Sequence, residues 1–229
     1  VYERDLDLTL LQGTTILRTS NNPDPYPSAI GADTSEQLDE FGNFWQNNQS
    51  AVSRAFAMLL SGKSDNAFSS AGIAWVLNGT NYCNSRNASG GHYSVTQVFR
   101  FAGSNASHDI LVIAHELGHN FGAFHTHCSN ATTGAGPTAS GTIDTCFSGE
   151  QGCFNGTPVC PVPTTVNGVA NVRGTLMAYC HLNGIAGCTS SEVFATAHRT
   201  LLTPRIANNV SNGCFTSSQT PNIYANGFE

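Results

Sequence analysis

The 229-residue chain carries a formal charge of -6, only 10% charged residues and one lysine, Lys63, so it has no basic stripe with which to bind a phosphate backbone, and nucleic acid is excluded as a partner. No apolar run approaches the roughly 20 residues that cross a bilayer, and no charged-then-apolar leader precedes Val1. The expectation is a soluble chain without a membrane partner, its signal peptide already removed, long enough to bury a core as one large domain or two small ones.

In chain order, residues Glu3 to Leu17 alternate apolar and polar positions around a glycine, which predicts an early strand or hairpin ended by the proline-rich NNPDPYP. From Thr34 a helix is signalled by Thr34 or Ser35 as cap, by Gln37 or Glu40 after it, and by Leu38, Phe41, Phe44 and Trp45 along one stripe. Three apolar runs follow, AFAMLL from Ala55, GIAWVL from Gly72 and SVTQVFRF from Ser94, separated by Gly, Ser and Asn. They predict sheet strands. The run His108 to Phe121 is apolar except at His115, Glu116, His119 and Asn120, which predicts a helix buried under the sheet. A last helix is expected from Ser191 to Leu202, capped by Ser190 or Ser191 and stopped by Pro204. The fold class is α+β with an irregular C-terminal part.

Eight cysteines occur with no CxxC pair, most of them from Cys146 onward in a stretch dense in Gly, Pro, Thr and Asn. Disulfides formed in an oxidising compartment are the natural reading. The expected localisation is secreted and extracellular, or periplasmic in transit.

The chemistry concentrates in IAHELGHNFGAFHTHC, Ile113 to Cys128. On a helix His115 and His119 lie one turn apart on one face, so both imidazoles can reach one ion about 2 Å from each nitrogen. Gly122 can adopt the left-handed conformation that ends a helix and turns the chain, bringing back His125 as a third ligand. Three neutral nitrogens leave a fourth zinc position for water, and Glu116 beside the first ligand can take that water's proton. His127 has no fixed partner at this spacing, and with His92, His108, His181 and His198 it is read as an ordinary surface histidine.

HELGHNFGAFH resembles the HExxHxxGxxH signature of the metzincin zinc metallopeptidases, and GTLMAYCH, Gly174 to His181, resembles their methionine turn. Within that clan GIAWVLNGTNYC and HYSVTQVFRF are similar to the edge strand, cysteine loop and next strand of the adamalysin or reprolysin branch, in particular its secreted bacterial members. Thr126 stands where adamalysins place Asp and pappalysin-like members often have Thr, which makes the latter the second subfamily reading.

The resemblance implies a twisted mixed sheet over a central zinc helix. It divides one catalytic domain into an N-terminal subdomain, 1–125, and a disulfide-rich C-terminal subdomain, 126–229. It makes His115, His119 and His125 the ligands of one catalytic Zn2+, Glu116 the general base that activates the zinc-bound water, and Met177 the apolar floor beneath the metal. No calcium site is indicated. It offers Tyr179 as a zinc ligand or oxyanion donor, and Ile73, Ala74, Trp75, Val76 and Leu77 as the strand that pairs with an extended protein or peptide substrate. It pairs Cys83 with Cys214. It also implies a strand and long helix ahead of YERDLDLTLL, so that an N-terminal fragment or propeptide is a candidate partner. The alternatives are an inactive metzincin-fold binding module, and a structural zinc domain drawing a fourth ligand from His127, His181 or Cys128.

Overall fold

The computed structural model describes residues 1–16, 24–27, 35–63, 71–77, 81–83, 91–98 and 106–216. Thr34, the end of the third apolar run from Phe99 to Phe101, and the C-terminal IYANGFE lie outside the described residues.

Helix α1 spans Tyr2–Leu6, α2 Ser35–Asn48 and α3 Ala106–Asn120, with strands β1 Ala57–Ser61, β2 Gly72–Ala74 and β3 Tyr93–Gln97 between the last two helices. A hairpin of β4, Thr164–Val166, and β5, Val169–Val172, precedes α4, Thr196–Ser211. The architecture is mixed α+β with four disulfides. Among the described residues no helix is long and apolar enough to cross a membrane.

Strand β3 is central, parallel to β1 and antiparallel to β2. All five of its residues are buried. Tyr93 and Val95 join Leu38, Phe41 and Trp45 of α2 in one apolar cluster. Strand alternation therefore turns the small, fully buried Ser94 and Thr96 to the opposite face, against which α3 packs. Of the expected stripe of α2, Leu38, Phe41 and Trp45 are buried and Phe44 is half-buried against the same cluster. Helix α3 is less enclosed than expected, since Ile110 is 54% exposed. A second cluster joins Tyr2, Leu6, Ala114, Phe121, Met177, Phe194, Leu202 and Ile206, so α1, α3, the chain after Met177 and α4 share one core.

Two expected elements differ. Glu3 to Leu17 holds no strand among its described residues. Instead Tyr2 and Leu6 sit at helical i, i+4 spacing and are buried, Asp7 closes α1 in the left-handed conformation at φ 51°, and Leu10 and Leu11 remain exposed. Contacts distant in sequence favour the helix. The Tyr2 hydroxyl donates to Ala114 O at 2.7 Å, its ring packs on Phe121 and Phe194, and the Asp5 carboxylate accepts the Phe194 N–H at 2.7 Å.

The last helix begins later than expected and runs through Pro204. Residues 190–194 are drawn beside the methionine turn, with Ser191 N–H donating to Gly174 O and Leu176 N–H to Val193 O, so neither serine caps a helix. Pro204 lies on the exposed side of α4 while Leu202, Ile206 and Asn209 are buried on the other. The missing N–H thus falls where water can satisfy the freed carbonyl.

The surface expectation also fails for His92, His127 and His198, all buried. His198 of α4 pairs its Nε2 with Ser129 Oγ at 2.9 Å. Burial, aided by the nearby His125, lowers the His198 imidazole from 6.5 to about 3. The unfolded chain takes up this proton as pH falls through 6.5, whereas the native fold resists it down to about 3. Its stability contribution is therefore complete above pH 6.5 and declines on acidification, by roughly 1 kcal/mol per pH unit. Urea unfolding at pH 7 and pH 5 should show a smaller acid-induced loss in His198→Gln than in the parent, and equal losses would place the acid sensitivity elsewhere.

Candidate metal centre

Helix α3 brings His115 and His119 together, and the turn after it adds His125. Gly122 sits at φ +101°, a conformation that L side chains rarely adopt, and its N–H donates to His119 O at 2.8 Å while Ala123 N–H donates to Gly118 O at 3.0 Å. The chain reverses there. One ring nitrogen from each of His115, His119 and His125 falls within 4.8 Å of the others. The Nε2 atoms of His119 and His125 are 3.1 Å apart, close to the roughly 3.3 Å between two nitrogens that share a tetrahedral ion at about 2 Å.

The outer nitrogens explain this orientation. His115 Nδ1 lies 2.8 Å from Leu176 O and His119 Nδ1 2.7 Å from Ala123 O. A carbonyl only accepts, so each imidazole carries its proton on Nδ1 and turns a bare Nε2 inward. His115 Nε2 is buried with no hydrogen-bond partner among the described residues. His125 does the same through a side chain, its Nδ1 donating to Glu150 Oε2 at 2.7 Å. Burial first, then the proximity of His125, pushes His115 down to about 3 and His119 well below its ordinary value. Both stay neutral at physiological pH, the form that ligates a metal. A zinc ion fits this donor set.

Glu116 is buried at 6% exposure next to the first histidine, and burial raises its carboxyl to about 8. Its side chain lies against Gly72 of β2, where an added Cβ would come within 2.5 Å of Oε1. Residues Ile73 to Leu77 run from β2, at one end of the three-stranded sheet, toward the end of α3. Trp75 N–H donates to Tyr93 O, Leu77 N–H donates to His119 O, and Asn120 Nδ2 donates to Trp75 O at 3.1 Å.

Met177 is fully buried beneath α3, and its carbonyl accepts the Thr126 N–H at 3.0 Å. The Tyr179 ring lies 4.1 Å from that of His125 and stacks on His115 at 5.7 Å and 9°. Burial is the main cause, with Glu116 and Glu150 adding to it, that raises the phenol's pKa and keeps it a donor. Cys83 and Cys214 form a disulfide. The candidates for a fourth protein ligand do not join the three histidines within the described residues. Cys128 is bonded to Cys153, His127 Nε2 is held by Glu150 at 2.9 Å, and His181 is directed to Ser190 Oγ at 3.1 Å. The grouping of Asp144, Cys146 and Cys180 likewise offers no thiolate, because its cysteines are bonded to each other.

Three residues of the site have no role in the motif. Gly118 occupies a wildcard position of the motif, yet it is where Met177 touches the helix. Asn120 stood out as a polar residue on an apolar helix, without a role. Glu150 has the faintest signal: it is one of two acids between Thr126 and Ser190, where so few charges make each one noteworthy. Desolvation would raise its pKa, but its bonds to His125 and His127 outweigh that and hold the carboxylate ionised.

A family model of reprolysin type, described as metallo-peptidase family M12, matches residues 1–184. That span includes α3 and the turn at Met177. No curated protein matches the chain.

A Cβ on Gly118 would lie 2.5 Å from Met177 Sδ. Glycine to alanine inside an exposed helix gains about 1 kcal/mol, but Gly118→Ala should instead cost about 1–3 kcal/mol by overpacking this buried contact. Thermal unfolding checks this, and a raised melting temperature would contradict the close approach.

Proposed function

The chain belongs to metallo-peptidase family M12, of the reprolysin-like kind, and on that premise we propose that it is a secreted zinc-dependent endopeptidase that hydrolyses peptide bonds in protein substrates. The observation that carries this reading is the convergence of three histidine nitrogens, each turned inward by an acceptor on its other nitrogen, next to a buried carboxyl. Four disulfides support an oxidising, extracellular setting. Residues 1–125 and 126–229 act in this reading as the two walls of one catalytic domain.

His115, His119 and His125 would hold the ion. Zinc supplies a Lewis acid there, polarising the scissile carbonyl and bringing the pKa of water toward about 7. Glu116 accepts the proton of the attacking water and returns it to the departing amine. Its place against Gly72 puts that carboxyl beside the strand proposed to bind substrate. An extended peptide pairs along Ile73 to Leu77 by backbone hydrogen bonds, so recognition depends more on main chain than on side chains. The Tyr179 phenol donates to the oxygen that gains charge as the carbonyl is attacked. Met177 keeps the floor dry and holds Thr126, the neighbour of the third ligand.

An inactive binding module would not need Glu116 and all three ligands together. A structural zinc domain would need a fourth protein ligand, and among its candidates Cys128 is removed by its disulfide to Cys153.

Glu116→Ala should retain zinc at the parent's stoichiometry while casein cleavage falls by about two to four orders of magnitude. Metal analysis and a casein assay with a chelator control read both quantities. Undiminished cleavage in the variant, or in chelated parent protein, would sink the mechanism.

A further inference from the structure

His125 differs from the other two proposed ligands in how it is held. His115 and His119 stand on α3, and their outer nitrogens meet carbonyls of buried residues, Leu176 and Ala123. His125 follows the helix on irregular chain and relies on a side chain instead. Its Nδ1 donates to Glu150 Oε2 at 2.7 Å, and the same oxygen accepts from His127 Nε2 at 2.9 Å. We propose that Glu150 is the positioning residue of the third zinc ligand, fixing the ring of His125 through Nδ1 and braced in turn by His127; this rests on the reading that His115, His119 and His125 hold zinc.

A glutamate on a loop would be a poor brace if the loop were free. This one is fastened at both ends. Cys146 is bonded to Cys180, immediately after Tyr179, and Cys153 is bonded to Cys128, immediately after His127. Phe154 N–H also donates to His127 O at 2.9 Å, and Cys153 N–H to Glu150 O at 3.2 Å. The segment from Cys146 to Cys153 therefore spans the two stretches that flank the metal site, with Glu150 aimed between them. Its side chain remains 38% exposed, so neither burial nor core packing accounts for its position. A surface ion pair contributes little by itself, whereas a carboxylate that holds the outer nitrogen of a ligating histidine sets tautomer, ring direction and basicity.

The experiment compares parent, Glu150→Gln and Glu150→Ala in the full chain. Zinc affinity is measured by competition with a chromophoric chelator, the visible absorption of the cobalt-substituted protein is recorded, and thermal unfolding is followed without metal. Loss of the carboxylate should weaken zinc binding about 10- to 100-fold and alter the cobalt bands, with the smaller effect in Glu150→Gln, which preserves shape. The metal-free variants should stay folded at the assay temperature, losing at most about 1–3 kcal/mol because the buried His127 Nε2 is left without its acceptor. Zinc affinity and cobalt spectra within twofold of the parent in both variants would overturn the proposal. So would lower metal-free stability with unchanged affinity in the folded fraction. A parent protein that binds no zinc would instead refute the metal site itself, and a His115→Ala control separates that outcome from a failure at Glu150.

Discussion

Three imidazoles can share one cation only if each turns an unprotonated ring nitrogen inward, and which nitrogen that is depends on what the other one holds. The acceptors here are Leu176 O, Ala123 O and Glu150, at sequence separations of 61, 4 and 25 residues from their histidines. Each belongs to a different part of the chain: the methionine turn, the reversal at Gly122, and the loop between Cys146 and Cys153. The chain from 126 to 195, whose strands are a single two-stranded hairpin, is thereby tied to the orientation of rings that precede it. Disulfides suit that task. The Cys128–Cys153, Cys146–Cys180 and Cys160–Cys188 bonds close loops of 25, 34 and 28 residues, each limiting the unfolded chain by about 3–4 kcal/mol in the chain-entropy view.

Burial acts on the acidic and basic members of the site in opposite directions. It lowers the imidazoles of His115 and His119 and raises the carboxyl of Glu116, in each case favouring the uncharged form. Neutral histidines suit a dication, and the ion's own charge draws a nearby carboxyl back toward ionisation. The same burial would thus make the state of Glu116 depend on any ion that the histidines came to hold.

The parts legible in the sequence are those whose geometry is local. His115 and His119 meet because they are one helical turn apart, and Gly122 signals the reversal because few other residues take its φ. The stripe of Leu38, Phe41 and Trp45 and the cores of the three strands follow from periodicity in the same way. Local signals failed where distant partners decided. YERDLDLTLL alternates well enough to suggest a strand, but Tyr2 and Asp5 find Ala114 O and Phe194 N–H as a helix. Pro204 disfavours a helix, yet α4 runs through it with the proline on its exposed side, and which side of α4 faces solvent is a tertiary fact. Glu150 reaches His125 by way of a disulfide framework whose pairing the spacing of eight cysteines leaves open. His127 and His198 looked like surface residues because their partners, Glu150 and Ser129, lie on other stretches of chain.

Helix geometry sets the direction in which His115 and His119 point. Successive residues of α3 are rotated by about 100°, so Glu116 and Asn120 point to roughly the same side. That side meets β2 and the start of β3, through Gly72 and through the carbonyls of Trp75 and Tyr93. Gly118 lies nearly opposite and receives Met177. His115 and His119 project between these two directions, and His115 Nδ1 meets Leu176 O there. A rotation of α3 by even one residue would drive the Glu116 side chain off Gly72 and a bulkier residue onto Met177. The two close approaches at glycine therefore act as stops from opposite sides, and the imidazoles are aimed by contacts that they do not themselves make.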